Sequence, residues 1–226
     1  MKASVARFFA LFLCVSLLFP GVIVRAARAG EPARAPRVAL TFDDGPHPGR
    51  TKRILALLDR YAVKATFFIL GCNAEYYPEP LQMAVEGGHE IEDHSFDHKT
   101  KGKSVEELEN SIAKTAAIIE RASGRSPRYF RPPEGKSTLE LDRALEALGY
   151  DAVFWTVDSR DWTGKPADAI ARDVLKTVRD GDILLFHDYT CPGENTLHAL
   201  EKIIPELLSR GYRFVTVEEM FAVSEN

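Results

Sequence analysis

The stretch TFDDGP, residues 41–46, ends an apolar run with two adjacent carboxylates, Asp43 and Asp44, and turns at once through Gly45-Pro46. Like charges repel, so an Asp-Asp pair at the end of a strand asks for a cation beside it. Further on, HSFDH places His94 and His98 four apart. On a helical turn that spacing sets both imidazoles on one side. Two histidines and a carboxylate hold a divalent metal and leave positions open for water and substrate. Asp44 is the candidate third ligand, and Asp43 is then left beside the water. A bound zinc lowers the pKa of water to about 7, and a nearby carboxylate can take the remaining proton. Without a metal, DDGP reads as a turn rich in side chain–backbone hydrogen bonds and the two histidines as solvated surface residues. His187 ends the apolar run DILLF and precedes Asp188; it is a candidate functional group or a satisfied core histidine. His47, His89 and His198 read as structural or exposed.

Positioning these groups requires a regular scaffold, and the pattern supplies one. Strand-like runs RVALTF (37–42), KATFFIL (64–70), HEIEDH (89–94), RYFRP (128–132), DAVFWTV (151–157), DILLFH (182–187) and RFVTV (213–217) alternate with helical stretches. Ile54, Leu57, Leu58 and Tyr61 recur at helical spacing within 51–63. Residues 104–124 carry a capping box, Ser104 with Glu107, and end in Gly124. Further helices are expected over 79–88, 139–150, 166–180 and 196–210. Seven strands alternating with helices predict an α/β protein with a parallel sheet, open or closed into a barrel. In such folds functional side chains gather where strands end. Asp43-Asp44, His94, Arg131, Asp158, Asp161 and His187 all fall there, so they are expected to converge.

The chain has 226 residues, enough for one well-buried domain. Lys2 and Arg7 precede an apolar stretch from Phe8 to Val24 broken by Pro20-Gly21, and Ala27-Arg28-Ala29 offers a cleavage pattern. Residues 1–29 therefore read as a secretory signal peptide, 30–36 as a short linker and 37–222 as the one domain that carries these groups. The expected location is outside the cell or in its envelope; an uncleaved membrane anchor is the alternative. Cleavage removes four cations and no acids, moving the formal net charge from −4 to −8. That balance argues against nucleic acid as a partner, and no obligate protein partner is indicated. Cys72 and Cys191 remain, as a pair or as two thiols.

TFDDGP, HSFDH, RPPEG, DSRDW and LLFH, in that order and spacing, resemble the polysaccharide deacetylases, carbohydrate esterase family 4 with a NodB-homology domain. VKATFFILG and GYRFVTVEEM strengthen the likeness, which runs from about Arg37 to Phe221. The resemblance implies a distorted (β/α)7 barrel and metal-dependent removal of acetyl from N-acetylated sugars. It implies Asp43 as general base and Asp44, His94 and His98 as ligands of one divalent metal. Zinc is expected first, with cobalt, nickel or manganese as substitutes. It further implies His187 as general acid, Asp161 as the carboxylate paired with it, and Arg131 as the arginine that holds the base. Pro133 and Glu134 then border the substrate groove, and Trp162 and Leu185 wall the acetyl pocket. The expected substrate is a cell-wall glycan, peptidoglycan or chitin-type oligomers.

Two departures stand out. Glu134 occupies a position where many members have tyrosine; there the backbone N–H is the oxyanion contact, and an added acid is expected to disfavour anionic substituents. EDH replaces GNH at the first ligand histidine, placing Glu92 and Asp93 beside it, with Asp93 expected either to orient and tune the ligand histidines or to face solvent. Three rivals are an iron(II) oxygenase, which leaves Asp43, Arg131 and His187 without roles, a catalytically dead glycan-binding module, and an O-acetyl esterase of xylan type.

Overall fold

The computed structural model describes residues 34–189 and 194–222. The expected signal peptide 1–29, most of the linker, and Cys191 lie outside the described residues, and with Cys191 so does any pairing with Cys72. Among the described residues no helix is long and apolar enough to cross a membrane.

Strand β1 (Arg37–Asp43) is the axis of a wholly parallel sheet. Its residues alternate between two cores. Val38, Leu40 and Phe42 face the helices, whereas Ala39 packs with Phe68, Tyr129, Ile183 and Val215 inside the curl. Thr41 and Asp43 share that inner parity. Phe42 is fully buried and stacks on Phe67 with ring centroids 5.0 Å apart; truncating it to alanine would cost about 3–5 kcal/mol.

The remaining elements follow in βα order: α1 (Arg50–Arg60), β2 (Thr66–Ile69), α2 (Gly71–Tyr76), α3 (Pro78–Glu86), β3 (Glu90–Asp93), α4 (Val105–Ser123), β4 (Tyr129–Phe130) and α5 (Leu139–Leu148). After them come β5 (Asp151–Ala152), β6 (Val157–Asp158), α6 (Ala167–Thr177), β7 (Asp182–His187), α7 (Asn195–Ser209), β8 (Arg213–Val215) and α8 (Val217–Ala222). The sheet order is β5-β4-β3-β2-β1-β7-β6. The outermost strands, β5 and β6, are two halves of one segment. The first half pairs with β4 and the second with β7, so residues 151–158 bridge the two ends of the curl. The architecture is the distorted (β/α)7 barrel expected from the sequence.

The single strand expected over 151–157 is thus two short ones, separated by a break that releases Phe154 and Trp155 from the ladder. The two α-helices missing from the sequence reading, α2 and α8, span six residues each, too short for a periodic signal. The α4 capping box forms as expected: the Ser104 hydroxyl accepts from Glu107 N–H and the Glu107 carboxylate accepts from Ser104 N–H.

Candidate active site

The strand ends bring the acids together. Asp43 is the last residue of β1 and Asp44 the first beyond it, in the left-handed region at φ 74°. Gly45 follows because nothing larger fits: a Cβ there would collide with the Asp188 carboxylate. Asn73 in α2 donates to the Asp44 carbonyl at 2.7 Å, and Leu70 N–H to that of Gly45 at 3.0 Å, which pins the turn.

His94 and His98 do not lie on a helical turn. The segment after β3 is an irregular loop in which Ser95 and His98 both have positive φ, 74° and 61°. Asp93 holds it by accepting from Ser95 N–H at 2.7 Å, and the Ser95 hydroxyl accepts from His98 N–H at 3.0 Å. The imidazoles nevertheless meet, with ring centroids 5.1 Å apart. Left-handed conformations in non-glycine residues are costly and cluster at functional sites; here Asp44 and His98 share that feature.

His94 Nδ1 lies 2.6 Å from the Arg131 carbonyl. A carbonyl only accepts, so Nδ1 carries the proton and Nε2 offers its lone pair. Burial pushes the His94 imidazolium down to about 3, so the ring is neutral, the form a metal needs. Nε2 of His94 and Nε2 of His98 each lie 3.6 Å from Asp44 Oδ1. The three donor atoms fall within 4.8 Å of one another. Two imidazole nitrogens and one carboxylate oxygen suit zinc and neighbouring divalent ions.

Asp43 is held from the other side. Arg131, fully buried at the end of β4, donates from Nη1 to Asp43 Oδ1 at 2.8 Å and to the Thr41 hydroxyl at 2.7 Å. Its guanidinium lies over the Phe68 ring, 4.0 Å from the centroid. Burial raises the Asp43 carboxyl above the usual range, and Arg131, His187 and His98 oppose that rise. The result is a more basic carboxylate than one in water.

At the end of β7, His187 Nδ1 meets Asp161 Oδ1 at 2.8 Å. The other Asp161 oxygen accepts from His187 N–H and from the Thr196 hydroxyl, both at 2.9 Å. With Nδ1 committed to a carboxylate, the tautomer is fixed and Nε2 is the nitrogen left for chemistry.

One cavity of about 560 Å³ joins these groups; Asp43, Asp44, His94, His98 and His187 line it together with Leu185, Trp162 and Glu134. Pro133 lies outside this lining and belongs to the neighbouring cleft. Asp93 and Glu92 depart from expectation. Asp93 is buried, serves the loop backbone and does not bond His94 Nδ1. Glu92 accepts from Arg128 and Tyr129 N–H, away from His94 and His98. His47 Nδ1 accepts from Gly49 and Arg50 N–H at the start of α1, His89 Nδ1 accepts from Ala65 N–H, and His198 is exposed.

The sequence reading missed Trp155, which also lines the cavity. An aromatic in an apolar run reads as core; only the break between β5 and β6 turns it inward. Gly135 is the second half of that arrangement, since a Cβ there would lie 2.6 Å from the Trp155 ring. It missed Asp188 as well. That carboxylate is fully buried, accepts from Thr51 at 2.5 Å, and is pushed up to about 7 by burial, with Asp44 and Asp43 adding to the rise.

Comparison with known proteins agrees with this geometry. The family model for polysaccharide deacetylase matches residues 30–153. A peptidoglycan-N-acetylglucosamine deacetylase of Bacillus cereus is 39% identical over 198 residues, 86% of this chain and 71% of that protein. A chitooligosaccharide deacetylase of Azorhizobium caulinodans is 33% identical over 188 residues, covering 77% of this chain and 90% of that protein. The solved structure of the peptidoglycan deacetylase PdaC from Bacillus subtilis superposes with a TM-score of 0.78 at 36% identity, covering 85% of this chain and 93% of that one. On fold, motifs and relatives together, the chain belongs to the polysaccharide deacetylase family.

Proposed function

We propose that this chain hydrolyses the N-acetyl group of an N-acetylated cell-wall glycan, with peptidoglycan as first substrate and chitin-type oligomers as second. The observation that carries the reading is the single cavity into which a base held by arginine, a two-histidine carboxylate triad and a histidine–aspartate pair all converge. Export to the cell exterior or envelope belongs to the same proposal, because the substrate lies there.

Asp44, His94 and His98 are the residues that would hold a divalent ion, zinc first. When bound, such an ion polarises a carbonyl and makes water more acidic. Asp43 takes a proton from the attacking water at Oδ2, the oxygen 3.8 Å from His94 Nε2, while Arg131 holds Oδ1 and so orients the carboxylate. The Glu134 backbone N–H, in a turn where Gly135 N–H bonds Pro132 O and Lys136 N–H bonds Pro133 O, is the candidate donor to the developing oxyanion. Leu185, Trp162 and Trp155 enclose the acetyl methyl. In the imidazolium form, which the Asp161 carboxylate favours, His187 delivers the proton on Nε2 to the leaving amine and returns to the neutral Nδ1–H tautomer, while Asp161, itself held by Thr196, keeps the ring in place. An amine is a poor leaving group until protonated, so this second proton transfer is what amide hydrolysis demands.

The decisive experiment is mass spectrometry of defined peptidoglycan and chitin fragments after incubation with the purified protein. Loss of one acetyl mass, abolished by exhaustive chelation and restored by zinc, is the expected result. Full activity after chelation would overturn the role given to the triad. Activity confined to O-acetyl esters would overturn the amide reading.

A further inference from the structure

A second cleft of about 670 Å³ adjoins the catalytic cavity and shares His98 and Glu134 with it. Lys99, Lys101 and Lys103, from the loop after β3, and Lys136, from the turn after β4, line this cleft. Two of the four are already engaged: Lys103 pairs with Asp97 at 2.9 Å and Lys136 with Glu134 at 2.6 Å. Lys99 and Lys101 have no ion-pair partner among the described residues. The whole chain carries a formal charge of −4, so a lysine-lined cleft beside the active site inverts the sign of its surroundings.

The pairing also changes the meaning of Glu134. The sequence reading expects its carboxylate to repel anionic substituents. Lys136 holds that carboxyl below the usual range, and Lys101 acts on it in the same direction. Its charge is therefore answered locally, and the excess facing an incoming chain is positive.

We propose that this cleft receives the carboxylate of an acidic substituent carried by the sugar next to the one being deacetylated. The proposal rests on reading the main cavity as a glycan site. The chemical class is a carboxylate on an otherwise neutral N-acetylated chain, either a lactyl ether acid on the sugar itself or a peptide acid attached through it. Lys99 and Lys101 supply the ammonium groups, and the shared wall of His98 and Glu134 places the acid one residue along from the scissile acetyl. A neutral chitin-type oligomer fills the catalytic cavity and leaves this cleft without a charged partner.

The test separates binding from turnover. End-labelled oligomers are titrated against the metal-loaded protein by fluorescence anisotropy. One is neutral, one bears free lactyl acids, one has those acids converted to methylamides, and one carries stem peptides. The free-acid oligomer is expected to bind about tenfold more tightly than its amide, which is about 1.4 kcal/mol. Rising salt should shrink that preference, and Lys99→Gln with Lys101→Gln should remove it. The Lys99→Arg, Lys101→Arg pair should keep it, which guards against a folding defect. A preference already complete with the lactyl acid assigns the ligand to the sugar; one that needs the peptide arm assigns it to the peptide, and both support the cleft. Equal binding of the neutral, amide, free-acid and peptide-bearing oligomers by the wild type, or a full preference in the glutamine variant, overturns it. A protein that binds the acid selectively yet removes no acetyl would sink the proposed function and leave this inference standing. A deacetylase without the preference would do the reverse.

Discussion

Two sets of carboxylates lie in the same barrel and behave differently. At the strand ends that form the cavity, Asp43 faces Arg131 and Asp161 faces His187. In the other set, on β3, buried Glu92 accepts from Arg128 and Tyr129 N–H, and half-buried Glu90 beside it accepts from Val217 and Glu218 N–H and from the Thr66 hydroxyl. Burial raises the carboxyl in both places. At Asp43 a guanidinium and two imidazoles oppose the rise, whereas at Glu92 the neighbouring Glu90 adds to it and the group is pushed up to about 9. A buried acid kept next to a cation stays available as a base, and one kept next to a second acid holds a proton and serves the fold, although its backbone donors oppose this.

Removing the cation from the first set should have the largest effect. Arg131→Met leaves Asp43 buried and unpaired, at a cost of about 3–5 kcal/mol, and should abolish turnover. Chemical denaturation checks the first and acetate release the second; wild-type stability in this variant would erase the distinction between the sets. Asp43→Asn preserves shape but cannot take the proton. Its rate should fall about 10²–10⁴-fold while one equivalent of metal is retained. Loss of metal along with activity would make Asp43 a ligand instead. His187→Ala should impair amide hydrolysis more than hydrolysis of an activated ester, whose leaving group needs less protonation. Equal losses on the two substrates would remove the case for a general acid.

The smallest effect is expected from the second set and sharpens the comparison through pH. Glu92 has a folded pKa near 9 against 4.5 for the ordinary carboxyl. The folded state therefore holds the proton more tightly. The stability this contributes is complete below pH 4.5 and is lost as pH rises through about 9. Glu92→Gln cannot titrate, so its denaturation midpoint should fall less than that of wild type between neutral pH and about 9, with deacetylation unaffected. Parallel pH profiles for the two proteins would show that Glu92 is ionised in the fold.

Much of this site was legible because its residues sit at strand ends, and strand ends were legible from apolar runs followed by polar residues. Asp43, His94, Arg131 and His187 follow RVALTF, HEIED, RYF and DILLF in that way. What was not legible depends on backbone departing from regular structure. The histidines meet through positive φ at Ser95 and His98, which four-residue spacing cannot reveal. Trp155 enters the cavity through a break in an apparently continuous strand. The lysine cleft joins loops after β3 and β4, and no local pattern couples Lys99 and Lys101 to Lys136. Asp93 looked like a partner for the ligand histidines by adjacency, but strand-end geometry gave that role to the Arg131 carbonyl.

The edges of β1 set a condition on how the molecule comes into being. One edge pairs along its length with β7; the other is divided between β8, at Arg37–Ala39, and β2, at Thr41–Asp43. Two of those three partners come from the far end of the sequence. Pairing across such separations is slow, because the loop must close before the contacts repay it. The strand that bears Asp43 is therefore finished by elements made last, and His187 arrives on one of them. A chain halted short of β7 has the aspartates and the first histidines but no partner along that edge and lacks the proposed proton donor. The proposed catalytic set is accordingly complete only when the fold is.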